Sequence, residues 1–285
     1  MIDSRGTRTA LLTIFAMLAF AGNSLLCRLA LGQDLIDAAS FTSVRVFAGA
    51  VTLAVMMLPR WRRESPGPVN WPAAVMLFVY MAGFSFAYRS LTAGTGALIL
   101  FGAVQLTMIA FALRASERFS MQGWTGLAVA LAGLAWLVAP GVTAPDTVGA
   151  IQMTVAGIAW GIYSLRGRNS HHALESTALN FICAVPLVLA TSLIFIDAML
   201  ATPAGIGLAV VSGAITSGLG YVIWYAALPG LPATTASIVQ LTVPVIAAFG
   251  GVAWLAEDMT PRLVVASIAT LGGVWMVLSQ RRKKN

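Results

Sequence analysis

Apolar residues run through this chain in long unbroken stretches, separated by short breaks rich in charge, proline or glycine. A membrane barrel would instead alternate polar and apolar residues in segments of about 10. A helix that crosses a bilayer takes about 20 predominantly apolar residues. Reading the breaks predicts ten such spans, at residues 9–31, 38–58, 72–90, 94–113, 122–139, 147–166, 176–197, 204–227, 232–254 and 261–280. Leu228-Pro229-Gly230-Leu231-Pro232 is the turn that divides spans 8 and 9. The expected fold is an all-α membrane protein. Residues 1–21 imitate a cleavable signal, with Arg5 and Arg8 ahead of an apolar run that reaches Ala19-Phe20-Ala21. The run continues to Ala30 and its second half recurs later, so it is read as span 1.

Composition sharpens this picture. Of 285 residues, 59% are apolar and 9% charged, whereas a soluble domain carries about 25% charged residues. So few charges cannot tile a water-facing surface, which excludes a soluble enzyme or nucleic-acid binder. The net charge of +7 is a topology signal rather than a nucleic-acid footprint. With the N-terminus inside, thirteen of the 17 basic residues fall at inner ends, among them Arg60, Arg62, Arg63, Arg114, Arg118, Arg166, Arg168 and the tail Arg281–Lys284. The outer loops carry Asp34, Asp37, Asp146, Asp197, Glu257 and Asp258. Basic residues stay on the cytoplasmic side, so both termini are expected there, in a bacterial inner membrane. Cys27 and Cys183 lie within apolar runs and read as small fillers.

An internal repeat accompanies the spans. At a shift of 140, Phe20-Ala21 falls on Trp160-Gly161, Ser24-Leu25 on Ser164-Leu165, Arg28 on Arg168, Thr95 on Thr235, Glu117 on Glu257 and Gly133 on Gly273. A shift of 137 pairs Tyr88 and Leu91 with Tyr225 and Leu228. A rival match, Val104-Gln105-Leu106-Thr107 on Val239-Gln240-Leu241-Thr242, needs five extra residues inside a helix. That insertion would rotate the apolar face by about 140°, so it is set aside. The chain divides into residues 1–140 and 141–285, each with five spans. An odd number per half inverts the second copy in the membrane. Inverted repeats place a binding site near the midplane between the halves.

The motifs in this order resemble the ten-helix EamA-type transporters of the drug/metabolite transporter superfamily. The resemblance covers nearly the whole chain. It is carried by Arg45-Val46-Phe47, Tyr88-Arg89-Ser90-Leu91, Glu117 with Ser120 and Gly126, Ala159-Trp160-Gly161, Tyr225-Ala226-Ala227-Leu228, and Pro244 followed by Glu257-Asp258-Met259-Thr260. One departure is span 4, which lacks a proline that the family often has near the place of Val104. The resemblance implies export of small metabolites such as amino acids. Within the family, the chain looks most like aromatic amino acid exporters of the YddG type. Nucleosides, vitamins or sugar derivatives are the alternative solutes.

Polar and aromatic residues near the midplane are the candidate chemistry, because exposing them to lipid is costly. The substrate-binding set is Tyr80, Phe84, Phe101, Trp160, Tyr163 and Tyr221, with Asn23, Gln105 and Gln240 as polar contacts. The resemblance implies that spans 1, 3, 4, 6, 8 and 9 line the cavity. Each of these residues could instead serve bundle packing or an interfacial belt. Ser217, Tyr221 and Trp224 or Tyr225 make a stripe along span 8. Gly157 and Gly161 fit a close helix crossing. Pro244 predicts a kink in span 9, either a fixed bend or a gating joint. Arg45 is the one charge deep in a span. It either snorkels outward or meets a substrate carboxylate.

No span core holds Asp, Glu or His, so the usual proton relay is missing. The expectation is facilitated efflux down the substrate's gradient. An intramembrane enzyme lacks its signatures, since the only histidines are the adjacent His171 and His172 in a loop. No catalytic residue, metal or cofactor is expected. A receptor or scaffold remains the other class, and it would have no use for inverted symmetry. The expected partners are the lipid bilayer and a small-molecule substrate, with a monomer favoured.

Overall fold

The computed structural model describes residues 4–114, 120–141, 144–167, 172–231 and 239–282. Glu117, Arg118, Arg168, His171, Thr235 and Ser237 lie outside the described residues. The described residues are mostly helical, joined by short turns, and contain no strand. Its helices are α1 (Ser4–Gly32), α2 (Ala38–Trp61), α3 (Trp71–Ala87), α4 (Ala93–Arg114), α5 (Met121–Val138), α6 (Thr147–Gly167) and α7 (Ala173–Ile194). They are followed by α8 (Pro203–Gly230), α9 (Thr242–Leu255) and α10 (Pro261–Arg282).

Seven of these, α1, α2 and α4 to α8, are long and apolar enough to cross a membrane. The described apolar stretches Trp71–Ala87, Thr242–Leu255 and Pro261–Val277 are shorter. Helix α3 stops three residues before the expected end of span 3, at the corner where Ser90 and Leu91 donate to the Ala87 carbonyl. Pro244 stands in the first turn of α9, where its missing N–H breaks no helical bond. The chain leaves the helix at Leu241, just ahead of it. The expected kink is therefore an interruption at the start of α9.

Local signals set the helix starts. The Asp37 carboxylate accepts from the N–H groups of Ala39 and Ser40, both at 2.9 Å. Burial pushes its carboxyl up, but hydrogen bonds from Ser40, Leu200 and Ala39 outweigh this and hold it below the usual carboxylate range. Asn70 caps α3 ahead of Pro72, and Thr202 caps α8 ahead of Pro203. Proline is favoured in that first turn because its missing N–H costs nothing there.

The outer surface is strongly apolar, and polar side chains are buried within a largely apolar interior. Phe15, Phe47, Trp124, Ile194, Trp254 and Ile268 are each more than half exposed. Thr42, Ser43, Ser85, Gln105, Asn180 and Ser217 are buried. Water would drive the opposite arrangement, whereas lipid solvates the apolar face and leaves polar side chains to bond across helices. The chain is a multi-pass membrane protein on this ground.

Helix α3 packs on α6 and α8 on α1; α4 packs on α6 and α9 on α1; α2 packs on α8 and α7 on α3. The pairs α2–α7, α4–α9 and α5–α10 complete the bundle. Two glycines permit close helix approaches beside the centre of the bundle. A Cβ on Gly157 would come within 2.6 Å of the Leu100 carbonyl oxygen on α4. One on Gly213 would strike the Arg45 carbonyl oxygen on α2. Gly213 also lies in a π-helical stretch of α8, Ser212–Leu219. Such wide turns are rare and cluster at functional sites.

Candidate functional site

The π-helical stretch faces a central cavity. Its walls are Phe20, Asn23 and Ser24 of α1, Tyr80 and Phe84 of α3, Leu100 and Phe101 of α4, Trp160 of α6, and Thr216, Ser217 and Tyr221 of α8. Helical spacing explains the contributions. Tyr80 and Phe84 are four residues apart, as are Ser217 and Tyr221, so each pair shares a face.

Trp160 is the hub. Its ring lies 4.7 Å from Tyr80, 5.3 Å from Tyr221 and 5.4 Å from Tyr163. The Tyr221 ring is nearly parallel to it, at 16°. Phe20 of the neighbouring α1 approaches Tyr221 at 5.9 Å. The polar content is small and organised. Asn23 Oδ1 accepts from the hydroxyls of Ser212 at 2.6 Å and Thr216 at 3.2 Å, which ties α1 to α8. An apolar, aromatic enclosure with a few placed polar groups suits a small amphipathic ligand. The free space is about 20 Å³, room for roughly one water. A ligand therefore enters only when helices part.

Arg45 stands directly behind this wall. It is fully buried, and its Nε and Nη2 donate to Ser217 Oγ and Tyr80 Oη, both at 3.3 Å. Its guanidinium carbon lies 4.8 Å from the centre of the Phe84 ring.

The two ends of the bundle differ. Towards the end that holds Arg60, Arg62 and Arg63, a second cavity of about 470 Å³ is lined by Val69, Asn70, Tyr163, Arg166, Thr177 and Tyr225, among others. Thr177 joins the hydroxyls of Tyr163 and Tyr225 at 3.3 and 3.2 Å. Tyr163 lines this vestibule and Trp160 lines the central cavity, so their stacked rings form a shared wall. Nearby, Glu175 accepts from Trp61 Nε1 and the Gly67 N–H. Span 7 is expected to begin at residue 176, whereas α7 begins at Ala173, so Glu175 lies in its first turn and is buried.

At the opposite end, Arg28 Nε donates to Glu257 Oε1 at 3.0 Å. Arg28 Nη1 also donates to the Tyr88 and Arg89 carbonyls, each at 3.2 Å. Glu257 Oε2 accepts from the Ala93 N–H at 2.8 Å. This latch joins α1, the α3–α4 corner and the linker after α9. Ala256 adopts a left-handed conformation with φ 52°, which turns the chain back and aims Glu257 at Arg28. A non-glycine residue pays strain for that conformation.

Of the residues chosen from sequence, Asn23, Tyr80, Phe84, Phe101, Trp160 and Tyr221 meet around the central cavity. Tyr163 belongs to the vestibule. Gln105 is buried in the middle of α4 and Gln240 lies half-buried just ahead of α9, and neither lines the cavity. Phe20 and Leu100 were not chosen. Phe20 carried a usable signal, since it is the repeat partner of Trp160.

The chain matches the EamA-like transporter family over residues 147–279. It is 48% identical over 274 residues to an uncharacterized protein of Pseudomonas aeruginosa, covering 96% of each chain. It is 22% identical over 251 residues to the uncharacterized transporter YoaV of Bacillus subtilis, covering 83% of this chain and 85% of that one. A protein known from a crystal structure superposes with a TM-score of 0.67 at 17% identity, covering 98% of each chain.

Proposed function

Because this chain belongs to the EamA-like transporter family of the drug/metabolite transporter superfamily, and is thereby a membrane transporter, we propose that it exports amino acids, aromatic ones included. The route is alternating access around the cavity centred on Trp160. The reading places ten crossing helices in two inverted halves, in a bacterial inner membrane with both termini cytoplasmic.

The observation that carries it is the cavity itself: a ring-lined enclosure near the middle of the bundle, walled by helices from both halves. An aromatic side chain stacks well on Trp160 and Tyr221, and the amino acid's polar end finds Asn23 and the hydroxyls of α8. The packing pattern supports the inverted halves. Replacing a helix by the one five places along turns three of the main pairs into other observed pairs, since α3–α6 becomes α8–α1, α4–α6 becomes α9–α1 and α2–α8 becomes α7–α3, while α2–α7, α4–α9 and α5–α10 map onto themselves. The asymmetry of the ends supports alternating access. One end carries an ion-pair latch and the other an open vestibule, as a conformer closed to one side requires.

Transport is expected to run down the substrate's own gradient. Among the described residues, Arg45 is the only ionisable group other than tyrosine and cysteine beside the cavity, and a guanidinium holds its proton throughout. The test is release from proteoliposomes loaded with radiolabelled amino acids, nucleosides or sugars. At equal pH on both sides, phenylalanine and tryptophan should leave severalfold faster than from protein-free vesicles. Release of sugars or nucleosides without amino acids would overturn the substrate class. Uphill accumulation driven by an imposed pH step would overturn uncoupled efflux.

A further inference from the structure

Arg45 carries a charge that the protein interior does not answer. Among the described residues, the cations that form ion pairs lie at the ends of the bundle, Arg28 with Glu257 and Arg60 with Glu64 and Glu175. Arg45 is 0% exposed and forms no ion pair among the described residues. A buried guanidinium does not neutralise itself by losing a proton, so the cost of its burial persists until an anion arrives. What holds it is weak for a full charge. Two hydroxyls accept at 3.3 Å, and the Phe84 and Tyr80 rings lie 4.8 and 5.7 Å from its carbon. Its third nitrogen, Nη1, is buried and has no hydrogen-bond partner. The groups that do hold it, Tyr80, Phe84 and Ser217, all line the central cavity.

We propose that Arg45 is the receptor for a carboxylate on the transported molecule, and so the residue that selects anionic ligands over cationic ones. This rests on the transport reading and deepens it. As the helices part, the ligand's ring takes its place beside Trp160 and its carboxylate meets Nη1 and Nη2. The planar fork of a guanidinium matches a carboxylate in two parallel hydrogen bonds. The hydroxyls of Tyr80 and Ser217 then either share the anion or release the guanidinium to it. A ligand that carries only an ammonium group meets like charge in the same place. A purely structural Arg45, a clamp between α2, α3 and α8, would confer no preference between the two.

The test uses two probes with the same ring and opposite charge, hydrocinnamate and phenethylamine, added to the purified detergent-solubilised protein. The readouts are the melting temperature and tryptophan fluorescence. Hydrocinnamate should stabilise the wild-type protein and phenethylamine should not. In Arg45→Gln the hydrocinnamate response should weaken by about tenfold or more, the scale of a lost charge-assisted hydrogen bond. Arg45→Lys, which keeps a charge but not the fork, should fall between. Equal responses to both probes in the wild type, or no response to hydrocinnamate, overturn the proposal without any variant having to fold. An undiminished response in Arg45→Gln or Arg45→Lys overturns it too. Failure of the transport reading is separable: vesicles would then release no amino acid although the purified protein still distinguished the probes.

Discussion

In the Trp160→Ala variant, amino acid release from loaded vesicles should fall by at least about tenfold, with the protein still present in the membrane at its normal level. Trp160 contacts Tyr80, Tyr163 and Tyr221 at 4.7–5.4 Å, so it organises the other rings as well as presenting its own. A stacked aromatic pair contributes about 0.5–1.5 kcal/mol beyond its buried area. Each 1.4 kcal/mol is a factor of about ten in affinity. Loss of one ring–ligand contact together with the ordering of Tyr221 reaches that factor. The ring is only partly buried and borders open space, so its removal enlarges a cavity rather than emptying a dense core. Trp160→Phe should recover much of the rate by restoring one stacking face. Unchanged release from Trp160→Ala would move the binding site elsewhere.

The second large effect is expected at the latch. Glu257→Gln keeps the shape and the bond from Ala93, but removes the charge that Arg28 meets at 3.0 Å. The two side chains are 23% and 9% exposed, so water screens the pair only in part. A hydrogen bond to a charged group contributes about 1.5–3 kcal/mol. Weakening it should shift the balance towards opening at that end by about tenfold. The measurement is the labelling rate of a cavity cysteine, Thr216→Cys, by an impermeant thiol reagent applied from the Arg28 side, in a background with Cys27 and Cys183 replaced by serine. Exchanging the charges, Arg28→Glu with Glu257→Arg, should return the rate towards that of the parent. A Glu257→Gln rate equal to the parent's would show that the ion pair does not hold this end closed.

The helices were legible because lipid imposes a crude rule. A run such as residues 94–113 reads as a span on composition alone, and α4 occupies Ala93–Arg114. The aromatic wall was legible for a related reason: Tyr80, Phe84, Trp160 and Tyr221 interrupt apolar runs at depth, at spacings that put neighbours on one face. Tyr163 shows the limit of that argument. It is one turn from Trp160 and stacks on it, yet it opens onto the vestibule, and spacing along one helix does not say which cavity a turn faces. Arg45 shows another limit. Hydrophobicity announces the cost of burying it, but its partners Tyr80 and Ser217 are 35 and 172 residues away, so only the packing of three helices reveals its setting. Arg28 and Glu257 were each marked by the repeat. Their pairing depends on the left-handed turn at Ala256, which no local signal announces. The π-helical stretch of α8, which holds Gly213 and Gly218, was likewise hidden.

The most direct measurement of alternating access is the two-sided labelling of that same Thr216→Cys in the otherwise wild-type cavity, with the impermeant reagent applied first to one face of the membrane and then to the other. Thr216 lines the closed central cavity, so it is reached only through a conformer that opens. Labelling from both faces is expected, with reaction from one face removing the site available to the other. Labelling from one face alone, however long the exposure, would contradict it.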